Sequence, residues 1–211
     1  MVRVTPDPDA ANQARAAQML ADCGAGPEIH EVRSTSLGVW TVSDRVTPGI
    51  SLREAPTGSV SLDDMAAPLR AMAGSNAAAS LPPLNEWLRA RLAQPDLRDI
   101  PRGQSAALPA ERERALDTLR QLDSNSESAA LCHGDAHTGN LLVSAKQPHL
   151  LMIDPRGMRG EIAYDIGVMS LKLSAYNLDA ARSLSGQLAA CVGVDGARVT
   201  AWTTVARAAR V

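Results

Sequence analysis

Apolar and polar residues alternate at the start of the chain, in Val2-Arg3-Val4-Thr5, and Pro6 and Pro8 end the run. A period of two predicts a short strand. From Ala10 to Asp22 the pattern becomes helical, with Asp7 or Asp9 placed to cap it and Gly24 and Gly26 to stop it. Ile29 to Arg33 and Val39 to Val42 are β-branched runs bounded by Gly, Ser and charged residues, which predicts two more strands. Thr47-Pro48-Gly49 reads as a turn.

Beyond that turn helical spacing dominates. Leu62 to Met72 is introduced by Ser61 as cap, Asn85 to Leu92 follows a Pro-Pro stop, and Glu111 to Leu122 is charged and amphipathic. The prolines between Gln94 and Ala110 predict a loop, and Ser124 to Ser128 a polar linker. Ala129 to Cys132 is a strand leading into a polar loop. Leu141 to Val143 and Leu150 to Ile153 form a hairpin joined by Ser144 to His149. Helical patterns return over Ile162 to Ala175, Asp179 to Cys191 and Asp195 to Ala209, with Asp195 as the last cap. A β-rich start, then helices with one embedded hairpin, is the signature of an α+β fold.

Composition narrows the function classes. Apolar residues make up 45% and charged residues 21% of the 211 positions, which excludes disorder of the whole chain. There is no Phe, with three Trp and two Tyr, so the core falls to Leu, Ala, Val, Ile and Met. Base-stacking platforms are not expected. A net charge of −2 with interspersed signs argues against a nucleic-acid partner. Cys23, Cys132 and Cys191 are far apart and fit a reducing cytoplasm as small apolar fillers. The N-terminus has no signal-peptide core, and no apolar run reaches a membrane span. The expectation is a cytoplasmic protein without a membrane partner.

Chemistry concentrates between Leu131 and Asp165. Asp135 lies on the loop after a strand, Asn140 opens the next strand, and Asp154 closes the hairpin. Residues near the open end of a hairpin face one another, so Asn140 and Asp154 are expected side by side with Asp135 in front. Phosphoryl transfer needs a carboxylate to orient and deprotonate an acceptor hydroxyl, and hard oxygen ligands for Mg²⁺. Asp135 has the first position; Asn140 and Asp154 supply the second. His133 and His137 beside these aspartates raise a metallohydrolase as an alternative. However, Gly134 and Gly139 argue against the shared helix face that a zinc pair needs. Asp165 is expected to cap a helix or to tie down the loop.

His133-Gly134-Asp135-Ala136-His137-Thr138-Gly139-Asn140, followed by Ile153-Asp154, resembles the pattern of eukaryotic-like kinases. In its G-D-x-H-x-G-N form it looks like the signature of the aminoglycoside phosphotransferases. Ile153-Asp154-Pro155-Arg156-Gly157 and Ala163-Tyr164-Asp165 resemble the streptomycin 6-phosphotransferase and hydroxyurea phosphotransferase branch, with Arg156 where that branch has Lys. Val2 to Pro6 looks like the strand carrying the nucleotide-phosphate lysine, with Arg3 at the lysine position. Ser43-Asp44-Arg45 looks like the hinge between lobes.

The resemblance implies a protein-kinase-like fold, with a partial nucleotide-binding lobe over 1–43 and a helical catalytic lobe over 44–211. It implies ATP and Mg²⁺ as cofactors, and phosphorylation of a hydroxyl on a small molecule such as streptomycin or hydroxyurea. Arg3, Ser43, Arg45, Asn140 and Asp154 would bind the cofactor, and Asp135 would be catalytic. Two departures are visible. The Gly-rich hairpin that precedes the lysine strand in the family has no counterpart here, and Ala10 to Asp22 contains no partner Glu. An N-terminally truncated, non-catalytic pseudokinase remnant is therefore the alternative expectation. Acceptor choice is expected to lie with Leu81 to Arg102 and Ser174 to Ala190.

Overall fold

In the computed structural model the described residues are 1–211 apart from 77–78, 95–96, 98–99, 101–102, 125–129 and 147–148. All but Ser124 of the linker expected over 124–128, and parts of the loop over 94–110 and of the hairpin connection over 144–149, fall outside them; Ser124 itself ends a helix.

The N-terminal elements are β1 (Val2–Thr5), α1 (Ala10–Asp22), β2 (Ile29–Thr35) and β3 (Gly38–Ser43). They form an antiparallel sheet in the order β1-β3-β2. Arg3 pairs with Thr41 across β1 and β3. With alternation along the strands, Arg3, Thr5, Thr41 and Ser43 share the face that looks onto α1 and the cavity beneath it. Helix α1 buries Ala10, Ala14, Ala16 and Leu20. Asp9 takes its N-cap position without a side-chain cap bond; the Asp7 carboxylate instead accepts the Asp9 N–H at 2.8 Å.

The turn expected at Thr47-Pro48-Gly49 is instead the entry to a strand, β4 (Pro48–Ser51). Its pairing with the later strand β6 (Leu141–Ser144) shifts register between Pro48 and Ser51. That bulge needs the left-handed backbone of Gly49, φ +71°, where a Cβ would stand 2.6 Å from the Val46 carbonyl oxygen. Turn-forming residues here specify an irregular edge strand rather than a reversal.

The remaining elements are α2 (Leu62–Ala73), α3 (Leu84–Ala93), α4 (Pro109–Ser124), β5 (Ala130–Cys132), β7 (Leu150–Met152), β8 (Met158–Gly160), α5 (Ile162–Leu173), α6 (Leu178–Val192) and α7 (Gly196–Ala209). Ser61 and Asp64 complete a capping box on α2, and Asp195 caps α7. β4, β6 and β7 make one small sheet, and β5 pairs with β8 in another. Strand β8, Met158-Arg159-Gly160, was not foreseen: its sequence reads as a charged loop, and pairing with β5, together with the Arg159 N–H donating to the Pro82 carbonyl oxygen at 3.0 Å, extends it.

The core lies around α5, which is buried from Ile162 through Leu171. A helix apolar on all sides belongs inside a bundle, and α6 and α7 flank it. As the composition requires, the fully buried large side chains are leucines and methionine together with Tyr164. The Tyr164 and Trp202 rings meet edge to face at 5.9 Å, a geometry worth about 1 kcal/mol beyond area burial. Glu161 closes the base of this bundle, accepting from the Trp202 indole N–H at 2.9 Å and from the Arg198 guanidinium. The three cysteines are free thiols, and Cys132 is fully buried. Among the described residues no helix is long and apolar enough to cross a membrane.

Candidate active site

The loop between β5 and β6 is anchored from below. Asp165, in the first turn of α5 and fully buried, accepts the backbone N–H of His133 at 2.7 Å and of Gly134 at 2.9 Å. Of the two roles expected for it, the loop tie is the one observed. Burial pushes its carboxyl up to about 7, against the pull of those two N–H groups. His133 is also fully buried. Its Nε2 lies 2.8 Å from the Ile153 carbonyl oxygen, and its Nδ1 lies 3.3 Å from the Asp135 backbone nitrogen. The carbonyl can only accept and the N–H only donate, so the ring is the neutral Nε2–H tautomer. Both nitrogens are committed, and neither is left for a metal.

Burial holds the pKa of His133 down at about 4. A depressed histidine gives stability that is present above the unfolded value near 6.5 and is lost as pH falls through the folded value. Asp165 runs the other way, gaining protons in the folded state below about 7. The histidine's share is isolated by difference. The stability advantage of wild type over His133→Asn should shrink by about 3 kcal/mol between pH 7 and pH 4. Urea titrations at both pH values read it; an advantage independent of pH would contradict the assignment.

Asp135 stands on this anchored loop with its side chain 29% exposed. Its carboxylate lies 3.8 Å from the Arg156 guanidinium and 3.9 Å from His137 Nε2. Asn140 is positioned by its own amide, whose Nδ2 donates to the Asp135 carbonyl oxygen at 3.1 Å. The Asn140 side-chain oxygen has no hydrogen-bond donor among the described residues. The Asn140 backbone oxygen accepts the Ile153 N–H at 2.9 Å, so Asp154 follows beside it. Asp154 itself is held at φ +57°, a left-handed conformation that strains any residue with a Cβ. Gly157 lets α1 come close: a Cβ there would stand 2.8 Å from the Ala16 Cβ and from the Asn12 carbonyl oxygen. Asp135, Asn140 and Asp154 line one open cleft with Arg3, Asp7, Gln13, His137 and Arg156.

The other residues singled out from sequence divide. Arg3 reaches this cleft, and its guanidinium pairs directly with the Asp154 carboxylate. Ser43 is buried, its backbone N–H and carbonyl paired with Met1, and it lines the adjoining cavity between α1 and the sheet with Arg3, Thr41 and Asp154. Arg45 is exposed and lines neither space. Sequence reasoning passed over Lys172, Arg53 and Trp87. The Arg156 guanidinium sits 4.9 Å from the Trp87 ring centre, and Lys172 feels the charge of Asp135 from α5. No local motif marks these residues; they come together only when α3, α5 and β4 pack.

The cleft suits a magnesium nucleotide by its donor chemistry. The Asn140 amide oxygen and the partly exposed Asp154 carboxylate are hard ligands, and Arg3 adds a cation at the same place. Among the described residues no group of three His, Cys, Asp or Glu is arranged to hold a metal by itself. Magnesium typically shares its shell with substrate phosphates, so two protein oxygens are enough.

The model of a phosphotransferase enzyme family matches residues 2–196. No curated protein matches the sequence. Among solved structures the chain is similar to an aminoglycoside-3'-phosphotransferase of type VIII, at 18% identity and a TM-score of 0.62, over 98% of this chain and 83% of that one. It is similar to a choline/ethanolamine kinase family protein from Mesorhizobium loti at 19% identity and TM-score 0.66, over 92% and 64%. A spectinomycin phosphotransferase solved with ADP and spectinomycin aligns at 14% identity and TM-score 0.60, over 99% and 72%. At such identities these likenesses speak to the fold: that of the aminoglycoside phosphotransferases and choline kinases.

Proposed function

The chain belongs to the phosphotransferase enzyme family, and from that membership we propose that it transfers the γ-phosphoryl group of ATP to a hydroxyl of a small molecule. The observation that carries the reading is the convergence of Asp135, Asn140 and Asp154 on one cleft, with Asp135 free of any hydrogen-bonded partner among the described side chains. Asp135 orients the acceptor hydroxyl and takes its proton as the new O–P bond forms and the bond from the γ-phosphorus to the departing ADP breaks. Asn140 and Asp154 hold the magnesium ion, and Arg3 neutralises phosphate charge beside them. Bound there, Mg²⁺ would draw charge from the phosphate oxygens during transfer. His137, half-buried next to Asp135, has its pKa lowered chiefly by burial, so it meets the acceptor as a neutral ring near pH 7.

We place the lobe boundary near residue 43, because β4, just beyond it, pairs with the catalytic hairpin rather than with the N-terminal sheet. A cytoplasmic location fits the reduced thiols. Ser43 serves the nucleotide through its place on the adjoining cavity; Arg45 is not given that role. One observation favours a second reading, a non-catalytic remnant: the Arg3 guanidinium already occupies an oxygen of Asp154.

The test is transfer of label from γ-³²P-ATP to a panel of hydroxyl compounds, beginning with streptomycin and hydroxyurea, the acceptors that the sequence resemblance implies. Label in any of them supports the reading. Label released only as inorganic phosphate, at the same rate with and without acceptor, contradicts it.

A further inference from the structure

Resting on the phosphotransferase reading, we propose that Arg156 is a further catalytic residue. Its guanidinium, stacked on the Trp87 ring, hydrogen-bonds the oxygens of the phosphoryl group while that group passes from ATP to the acceptor.

Arg156 has a fixed base. Its backbone N–H donates to the His133 carbonyl oxygen at 2.8 Å, on the loop that carries Asp135. Its Cβ lies 3.1 Å from where a Cβ on Gly134 would stand, so the two segments are in close contact. Helix α3 supplies the second support. The Arg156 guanidinium carbon lies 4.9 Å from the centre of the Trp87 ring. That helix is itself tied to β8, because the Arg159 N–H donates to the Pro82 carbonyl oxygen at 3.0 Å just before α3 begins. Stacking on an aromatic face orients a planar guanidinium without using up its N–H groups.

Those N–H groups have no hydrogen-bond partner among the described residues, and Nε is buried without one. Nη2 stands 3.8 Å from the Asp135 carboxylate, beyond hydrogen-bond length. The side chain is 37% exposed and lines the open cleft with Asp135, Asn140 and Asp154. Arg3, the other cation in that cleft, is already paired with Asp154. Arg156 is therefore a held cation with unused donors next to the proposed base.

During transfer the bond from the γ-phosphorus to the β–γ bridging oxygen breaks, and that oxygen leaves with ADP. A bond forms from the acceptor oxygen to phosphorus, and the hydroxyl proton goes to Asp135. Negative charge spreads over the three equatorial oxygens of the phosphoryl group. At the same moment protonation removes the charge of Asp135, and the guanidinium beside it is left to the phosphoryl oxygens. A hydroxyl bonded to Asp135 lies about 2.7 Å from it, with phosphorus roughly 3 Å further on. A guanidinium 3.8 Å from the same carboxylate is within reach of the oxygens on that phosphorus. Arginine–phosphate pairs are charge-assisted and often bidentate. A contact made only in transit raises kcat and leaves ATP affinity alone.

The experiment is calorimetric titration of MgADP into the full chain, with and without aluminium fluoride, a flat stand-in for the phosphoryl group in transit. Wild type should bind MgADP about tenfold or more tightly when the fluoride is present. Arg156→Met, shown by thermal melting to be folded, should bind MgADP alone within about threefold of wild type and lose that tightening. Arg156→Lys keeps the charge without the fork and should recover part of it. Turnover of Arg156→Met should fall by about 10²-fold or more, with the KM for ATP within about threefold. The inference is overturned if Arg156→Met keeps the full tightening, even with lower turnover, because the residue then only supports Asp135. It is also overturned if the folded variant no longer binds MgADP alone, which makes Arg156 part of ground-state nucleotide binding. Wild type that takes MgADP without any tightening by fluoride sinks the Arg156 inference alone. A folded wild-type chain that takes no MgADP sinks the phosphotransferase reading, and this inference with it.

Discussion

Asp135→Asn is expected to lower the rate of phosphoryl transfer by about 10³-fold or more while leaving MgATP affinity within about a factor of three. General-base help is worth about 10²–10⁴ in rate, and the amide of Asn neither accepts the proton nor balances the cations around it. The nearest guanidinium is that of Arg156 at 3.8 Å, and the His137 ring nitrogen stands at 3.9 Å, both too far to be hydrogen-bonded to the carboxylate. The side chain therefore contributes little to folding, and the melting temperature should stay within the range of an ordinary surface substitution, about 0.5 kcal/mol in stability. Steady-state turnover with thermal melting of the same preparation reads all three quantities. Unchanged turnover would remove Asp135 from the chemistry. A collapse of MgATP affinity alongside turnover would instead make it part of the nucleotide site.

Asp165→Ala should act on both stability and rate, although Asp165 touches no reacting atom. Removing its carboxylate leaves the N–H groups of His133 and Gly134 buried without an acceptor. Each orphaned N–H costs about 1–3 kcal/mol, and relief of a buried acid offsets part of that, so the net loss is about 3 kcal/mol. For a domain of this size that is a fall in melting temperature of roughly 10 °C. The loop it frees carries Asp135, and a displacement of about 1 Å at the reacting centre can cost about 10²-fold in rate. The expected signature is a lower kcat with little change in the KM for ATP, because Asp154 belongs to a different strand end. Asp165→Asn keeps one acceptor oxygen and should fall between the two. A variant as stable and active as wild type would show that the loop is held by β5 and β8 alone.

The parts of this molecule that could be read from sequence are those whose signal is local. The helices from α1 to α7 follow apolar spacing and cap residues: Ser61 and Asp195 sit where the caps are observed. Asp135, Asn140 and Asp154 were legible as a set because a strand, a loop and a hairpin lie within one short segment, and hairpin pairing fixes their order in space. What local signals missed is what depends on partners far along the chain. Strand β4 was hidden behind turn residues because its pairing with β6 lies some ninety positions away and needs a bulge at Gly49. Strand β8 carries Arg159 and owes its extension to β5 and to Pro82. Lys172 looked like an ordinary basic residue in the last turn of a helix, where it complements the helix dipole. Only the folded chain brings its charge near enough to interact with Asp135, Arg53 and Arg156. The two residues expected at the hinge divide for the same reason: Ser43 is drawn inward by its backbone pairing with Met1, whereas Arg45, past the end of β3, stays in solvent.

Arg3 and Asp154 meet in the proposed nucleotide cleft. The Arg3 guanidinium holds Asp154 at a spot where a magnesium ion would compete for the same oxygen. Both side chains are more than a third exposed, so the ion pair itself contributes little to stability, and exchange for a dication bridging to phosphate is energetically accessible. The measurement that decides whether this cleft works as a nucleotide site is calorimetric titration of ATP into the folded chain, with Mg²⁺ and with EDTA, alongside Asp154→Ala. The account predicts saturable binding that requires Mg²⁺ and is lost in the variant. No binding by a folded wild-type chain, or binding that is the same with EDTA and in Asp154→Ala, would contradict it.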